Sequence, residues 1–186
     1  MTRKPATYAD LEALPPNQVG EIVNGELHAS PRPASPHAFA AMQLSTDLNN
    51  PFGRGRGGPG GWHFLFEPEL HLGKDVLVPD IAGWRQERMA KMPDVVGFTM
   101  APDWLCEVLS PSTSRLDRVR KLPIYAREGV KHVWLVDPLQ RTLEVFRLEG
   151  GHYLLLGTHE DAETVHAEPF EALALELRVL WVDIAE

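Results

Sequence analysis

The sequence predicts an α/β domain of the α+β kind, in which helices flank a mixed central sheet and an antiparallel meander follows towards the C-terminus. Three observations predict it. Trp104 to Leu109 is short, apolar and bounded by Pro102 and Pro111, as a central strand buried on both faces would be. Ser112-Thr113-Ser114 offers N-caps for a helix over Arg115 to Arg127, closed by Gly129, and Lys131 to Asp137 is then a second central strand. Thr142 to Leu148, Tyr153 to Gly157 and Thr164 to Ala167 read as the meander, with turns at Asp137-Pro138 and Gly150-Gly151.

The other elements follow from punctuation and period. Tyr8 to Leu14 predicts a short helix stopped by Pro15-Pro16, and Glu21 to Leu27 two short strands about an Asn24-Gly25 turn. After a loop marked by Pro31, Pro33 and Pro36, a helix over His37 to Asn49 carries Phe39, Met42, Leu44 and Leu48 as its apolar stripe. Arg54 to Gly61 is too rich in glycine for regular structure and predicts a mobile loop. It lacks the Gly-Lys-Ser/Thr ending of a phosphate-binding P-loop and is read as a connection with two exposed arginines. Trp62 to Phe66, Glu69 to Leu72 and Asp75 to Ala82 predict strands, with Gly73 in a turn and Pro79 at a strand end or bulge. Pro123 implies a break or kink in its helix, and the apolar tail Phe170 to Ile184 predicts an edge strand and a short helix.

At 186 residues, with 44% hydrophobic and 24% charged, the chain suits one well-filled core, so residues 1–186 are expected to form one domain. The single Cys106 excludes a disulfide within the chain. Met1 to Tyr8 lacks the apolar run of a signal peptide and no stretch reaches the length of a membrane span, which predicts a cytoplasmic protein without membrane contact. The net charge of −8 disfavours a strong non-specific duplex-binding surface, although a local basic patch is compatible with it.

Chemistry is announced by two acids in apolar surroundings. Asp80 lies in Val78-Pro79-Asp80-Ile81 and Glu107 in Trp104-Leu105-Cys106-Glu107-Val108-Leu109. A carboxylate inside an apolar strand is costly unless it is paired or ligates a metal. Asp117, Lys121 and Tyr125 recur every four residues and share a helix face. Two hard oxygen donors and a lysine form a working set for metal-assisted phosphodiester hydrolysis. Each residue also has an ordinary reading: Asp80 as a strand-end cap, Glu107 as the partner of an arginine, Lys121 as an exposed charge. Tyr125 reads as a packing residue whose hydroxyl finds a partner, and Asp117 as a residue that orients Lys121. The eight histidines show no zinc spacing and no cysteine accompanies them; His37, at a helix start near the cleft, is the one of interest. Cys106 reads as a buried filler.

Pro79-Asp80, Glu107-Val108-Leu109-Ser110-Pro111-Ser112, the helix with Asp117, Lys121 and Tyr125, Gly129 to Pro138 and the early Glu21-Ile22-Val23-Asn24-Gly25-Glu26-Leu27 stand in an order that resembles the Uma2 family. That family is described as restriction endonucleases of the PD-(D/E)XK nuclease superfamily. The resemblance implies a restriction-endonuclease-like core, Asp80 and Glu107 as ligands of Mg²⁺ or Mn²⁺ with Glu21 completing the acidic cluster, and nucleic acid, DNA foremost, as the partner. The superfamily pattern places a lysine two residues after the second acid, where this chain has Leu109. Lys121 resembles a lysine migrated to the following helix.

These readings predict an Mg-dependent endonuclease in which Asp80, Glu107 and Lys121 are catalytic. The second class is a non-catalytic binding or assembly protein on the same fold, and metal binding by Asp80→Ala separates the two. Exposed strand edges and the apolar tail suit a homodimer. Because two buried carboxylates repel without a metal, Glu107→Ala is expected to leave stability unchanged or raised.

Overall fold

The computed structural model describes residues 4–183. Met1 to Arg3, the start of the segment searched for a signal run, and Ile184, the end of the predicted tail, lie outside the described residues. In chain order the elements are α1 (Tyr8–Glu12), β1 (Gln18–Val23), β2 (Glu26–Pro31), α2 (Ser35–Leu48), β3 (Trp62–Phe66), β4 (Glu69–Leu72), β5 (Asp75–Leu77), β6 (Ile81–Arg85), β7 (Gly97–Phe98) and β8 (Trp104–Val108). There follow α3 (Ser114–Leu116), a π-turn (Asp117–Lys121), α4 (Leu122–Arg127), β9 (His132–Asp137), β10 (Thr142–Glu149), β11 (His152–Glu160), β12 (Thr164–Val165), β13 (Leu175–Glu176) and a 3₁₀ turn (Leu177–Leu180).

The main sheet has the order β11-β10-β9-β8-β6-β3 and is mixed: β8 and β9 run parallel through the α3–α4 crossover, and the other neighbours are antiparallel. Its centre is apolar because every residue of β8 is buried, as both-face burial requires. A second sheet, β2-β1-β5-β4-β7, was not foreseen as a separate layer. Its first hairpin turns at Asn24 and Gly25, whose φ of 54° and 80° are the left-handed pair of a type I′ turn.

Two cores lie on opposite faces of the main sheet. Trp104, Cys106 and Val108 of β8 face α2 and the C-terminal tail, where Leu44, Leu48, Phe170, Leu177 and Leu180 are buried. Leu105 and Leu109 face the opposite way, towards the second sheet and Ile124 and Tyr125 of α4. The alternation is the period of two of a pleated strand.

Several expectations change. The strand predicted over Asp75 to Ala82 is two strands, because Val78-Pro79-Asp80 carries the chain from the second sheet to the main one and Pro79 has no N–H for a ladder. The buried face of α2 is Ala40, Ala41, Leu44 and Leu48, whereas Met42 is 64% exposed; small residues bring the helix axis close to the sheet. The glycine-rich segment is tied to the end of α2, with the N–H groups of Arg54, Arg56 and Gly60 donating to the carbonyls of Asn49, Asn50 and Pro51. Thr164–Val165 does not join the meander but pairs with Leu175–Glu176 in a small ribbon of its own.

Candidate active site

β8 presents Glu107 on the face that carries Leu105 and Leu109, and the register with β6 brings Asp80 to it. Ile81 pairs with Cys106 and Ala82 with Leu105, so one further step sets Asp80 opposite Glu107; directly opposed residues of an antiparallel pair share a face. Asp80 lies just before the first paired residue and uses its Oδ2 to accept the Val108 N–H at 2.7 Å. The segment is held from behind as well, since the Val78 N–H donates to Glu21 Oε1 at 2.8 Å and the Glu67 N–H to the Asp80 carbonyl at 2.9 Å.

Lys121 enters from the helical crossover and is 2% exposed. Its Nζ lies 2.8 Å from Glu107 Oε1, 2.8 Å from Glu21 Oε1 and 3.3 Å from Asp117 Oδ1. The Tyr125 hydroxyl donates to Glu107 Oε1 at 2.5 Å. The break implied by Pro123 is resolved here: the helix widens into a π-turn over Asp117–Lys121, one residue before α4 starts, and its two end residues are the buried ones. Such one-turn expansions accommodate a residue that cannot donate to the regular ladder, and they recur at functional sites.

The electrostatics follow from burial. Burial opposes the Lys121 ammonium, but the charges of Glu107, Glu21, Tyr125 and Asp117 outweigh it, so its pKa is held well above the usual lysine value. Burial pushes Glu107 well up, against the pull of Lys121, and also raises Asp117 and Tyr125. His37, in the first turn of α2, sets Nε2 3.2 Å from Asp80 Oδ1. Burial opposes its charge, but Asp80 and the backbone of Val108 raise its pKa above the ordinary histidine value.

These groups line one cleft of about 310 Å³, which contains Glu21, His37, Asp80, Glu107, Asp117 and Lys121. Carboxylates outnumber cations there, with Glu21, Glu67, Asp80, Glu107 and Asp117 against Arg32 and Lys121, and the polar contacts of Glu107 and Glu21 fall on Oε1 of each. Excess hard oxygen in a cleft with room for water fits a divalent cation of the Mg²⁺ or Mn²⁺ class. Among the described residues no three His, Cys, Asp or Glu side chains already form a ligand set; Lys121 draws the Glu107 and Glu21 oxygens to itself.

Asp80, Glu107, Lys121 and Glu21, picked out separately along the chain, therefore meet in one place. Leu109 is buried in the core and takes no part. The expected effect of Glu107→Ala needs correction. The carboxylates do not simply repel across an empty space, because Lys121 stands between them, and removing Glu107 strips both Lys121 and the Tyr125 hydroxyl of a partner. What sequence reasoning missed is the contact of His37 with Asp80. Its only signal was its position at a helix start.

The model of a family described as "Uma2: Putative restriction endonuclease" matches residues 5–179. Among solved structures, the chain is similar to a crystal structure from Anabaena variabilis ATCC 29413 titled as a "putative nuclease belonging to DUF820". The TM-score is 0.76 at 22% identity, over 95% of this chain and 97% of that one. The likeness shows that the two chains share a mixed α+β fold over nearly their whole lengths. No curated protein matches the chain.

Proposed function

The chain belongs to the Uma2 family, and on that premise we propose that it is a metal-dependent nuclease that hydrolyses phosphodiester bonds of nucleic acid, DNA foremost, in the cleft of Asp80, Glu107 and Lys121. The observation that carries this reading is the Lys121 ammonium, buried and 2.8 Å from both Glu107 and Glu21 in the cleft that Asp80 also lines. Asp80, Glu107 and Glu21 are the residues that would hold Mg²⁺ or Mn²⁺, and the ion would supply Lewis acidity to a phosphate oxygen and to the attacking water.

The chain's own part is positioning and charge. With its pKa held high, Lys121 stays an ammonium and acts on the developing phosphorane charge as a fixed cation; it is not a base. Asp117 fixes the direction of Lys121 from one turn away. Tyr125 holds Glu107 Oε1, and the Val108 N–H fixes Asp80. Buried groups with such supports lose little order when substrate arrives.

The test is cleavage of single-stranded and duplex DNA and of RNA by purified protein with Mg²⁺, with Mn²⁺ and with EDTA. Cleavage is expected only with metal, and is lost in Asp80→Asn, Glu107→Gln and Lys121→Met. Cleavage that survives both EDTA and Glu107→Gln would refute the mechanism.

A further inference from the structure

His37 stands in the cleft without a part in the scheme above. Its side chain is 12% exposed, its Nε2 lies 3.2 Å from Asp80 Oδ1, and its ring also lies against the backbone of Val108. A backbone contact on one side of the ring fixes its orientation, as it does for histidines that ligate a metal. The placement is rigid, because α2 starts just before His37 with Pro36 in its first turn, and Ala40 and Ala41 seat the helix directly on the main sheet. Asp80 is equally fixed by the Val108 N–H.

The spacing has a chemical meaning. Donor atoms bound at about 2.1 Å to one octahedral cation lie about 3 Å from their nearest neighbours. The His37 nitrogen and the Asp80 oxygen stand at nearly that separation, on the wall of the cleft that Glu107 and Glu21 also line. We propose that His37 is a nitrogen ligand of the cation bound by Asp80 and Glu107, which makes this a mixed nitrogen and oxygen site that favours Mn²⁺ over Mg²⁺. The proposal rests on the nuclease reading of the same cleft. An imidazole donor suits the borderline transition ions, whereas Mg²⁺ keeps oxygen ligands and its own waters. Glu107 and Glu21 would supply the oxygens, sharing their Oε1 atoms between the ion and Lys121.

The experiment is titration of the full chain with Mn²⁺ and with Mg²⁺ by calorimetry, together with pulsed electron paramagnetic resonance of the Mn²⁺ form, on wild type, His37→Ala, His37→Asn, Asp80→Asn and Glu107→Gln. Thermal unfolding of each variant checks that it is folded. Wild type is expected to bind Mn²⁺ at least tenfold more tightly than Mg²⁺ and to show coupling of the electron spin to an imidazole ¹⁴N. His37→Ala is expected to lose that coupling and to weaken Mn²⁺ binding about 10–100-fold. His37→Asn, which offers an amide oxygen, is expected to narrow the Mn²⁺ preference while remaining folded.

Retention of the ¹⁴N coupling in His37→Ala, or its absence from wild type that binds Mn²⁺, would overturn the proposal, and so would an unchanged Mn²⁺ affinity in His37→Ala. If Asp80→Asn and Glu107→Gln abolish binding while His37→Ala does not, only the ligand role of His37 fails. If wild type binds neither ion, the nuclease reading fails and takes this inference with it.

Discussion

The two faces of β8 differ in everything except their backbone. On one face Trp104 joins an aromatic cluster around Phe170, whose ring centroid lies 4.7 Å from Phe52, 4.9 Å from Trp62, 5.2 Å from Trp104, 5.6 Å from Trp134 and 5.7 Å from Phe64. On the other face Glu107, three residues along the strand, meets Lys121 and Tyr125. The first environment is held by area and contact and tolerates no polar group without a partner. The second is held by charge, and each member relies on partners that the others supply. A single strand serves both because the pleat sends successive side chains to opposite sides. The aromatic face thereby stabilises the sheet on which the charged face depends.

The largest expected effects separate the two faces by what they spare. Phe170→Ala should cost about 3–5 kcal/mol of stability, since it leaves a cavity among five aromatic rings, while cleavage per folded molecule stays near wild type. Denaturant unfolding and single-turnover rates check both halves. A lost rate in folded Phe170→Ala would show that the faces are coupled. Lys121→Met should also cost about 3–5 kcal/mol because buried carboxylates are left unpaired, but here cleavage vanishes. Glu107 and Asp117 already have raised pKa values in the folded state, and without Lys121 they rise further. The variant should therefore recover stability as pH falls and these carboxyls take up protons, and lose it as pH rises. A flat Tm between pH 5 and 8 would contradict that sign.

Tyr125→Phe removes the donor to Glu107 without disturbing the fold of α4. A loss of about 1.5–3 kcal/mol is expected for a buried hydrogen bond to a charged acceptor, with a fall in kcat larger than any change in KM. Glu107→Gln is expected to change stability by less than about 1.5 kcal/mol, because Lys121 keeps Glu21 and Asp117 and one excess negative charge is gone. Unfolding curves with and without Mn²⁺ would show it, and only wild type should gain stability from the ion.

The smallest effect lies at the rim of the aromatic face. His132 is 3.2 Å from Glu168, which also binds Arg147 at 2.8 Å. Burial lowers the His132 pKa despite the pull of Glu168. The folded state then binds fewer protons than the unfolded one, so stability is complete above about pH 6.5 and declines as pH falls towards the folded pKa. His132→Gln should flatten that slope between pH 7 and 5 in thermal unfolding. An unchanged slope would move the effect to another histidine.

Local anomaly and local period make part of the site legible in the amino-acid sequence by itself. A carboxylate between Cys106 and Val108 stands out because its neighbours are apolar, and the spacing of Asp117, Lys121 and Tyr125 places them on one face whatever they touch. The alternation along β8 implies that Glu107 and Trp104 look in opposite directions, and Pro123 announces a departure from a regular helix. Tertiary structure decided what those side chains meet. Glu21 reaches the Val78 N–H across 57 residues of chain, and His37 meets Asp80 only because two sheets and α2 converge at the same edge. Phe170 gives no sign in the tail that it will sit among the rings of four other elements. Period and composition report on a few neighbouring residues, whereas these contacts arise from how whole layers close on one another, and that closure is set by the sum of all their buried faces.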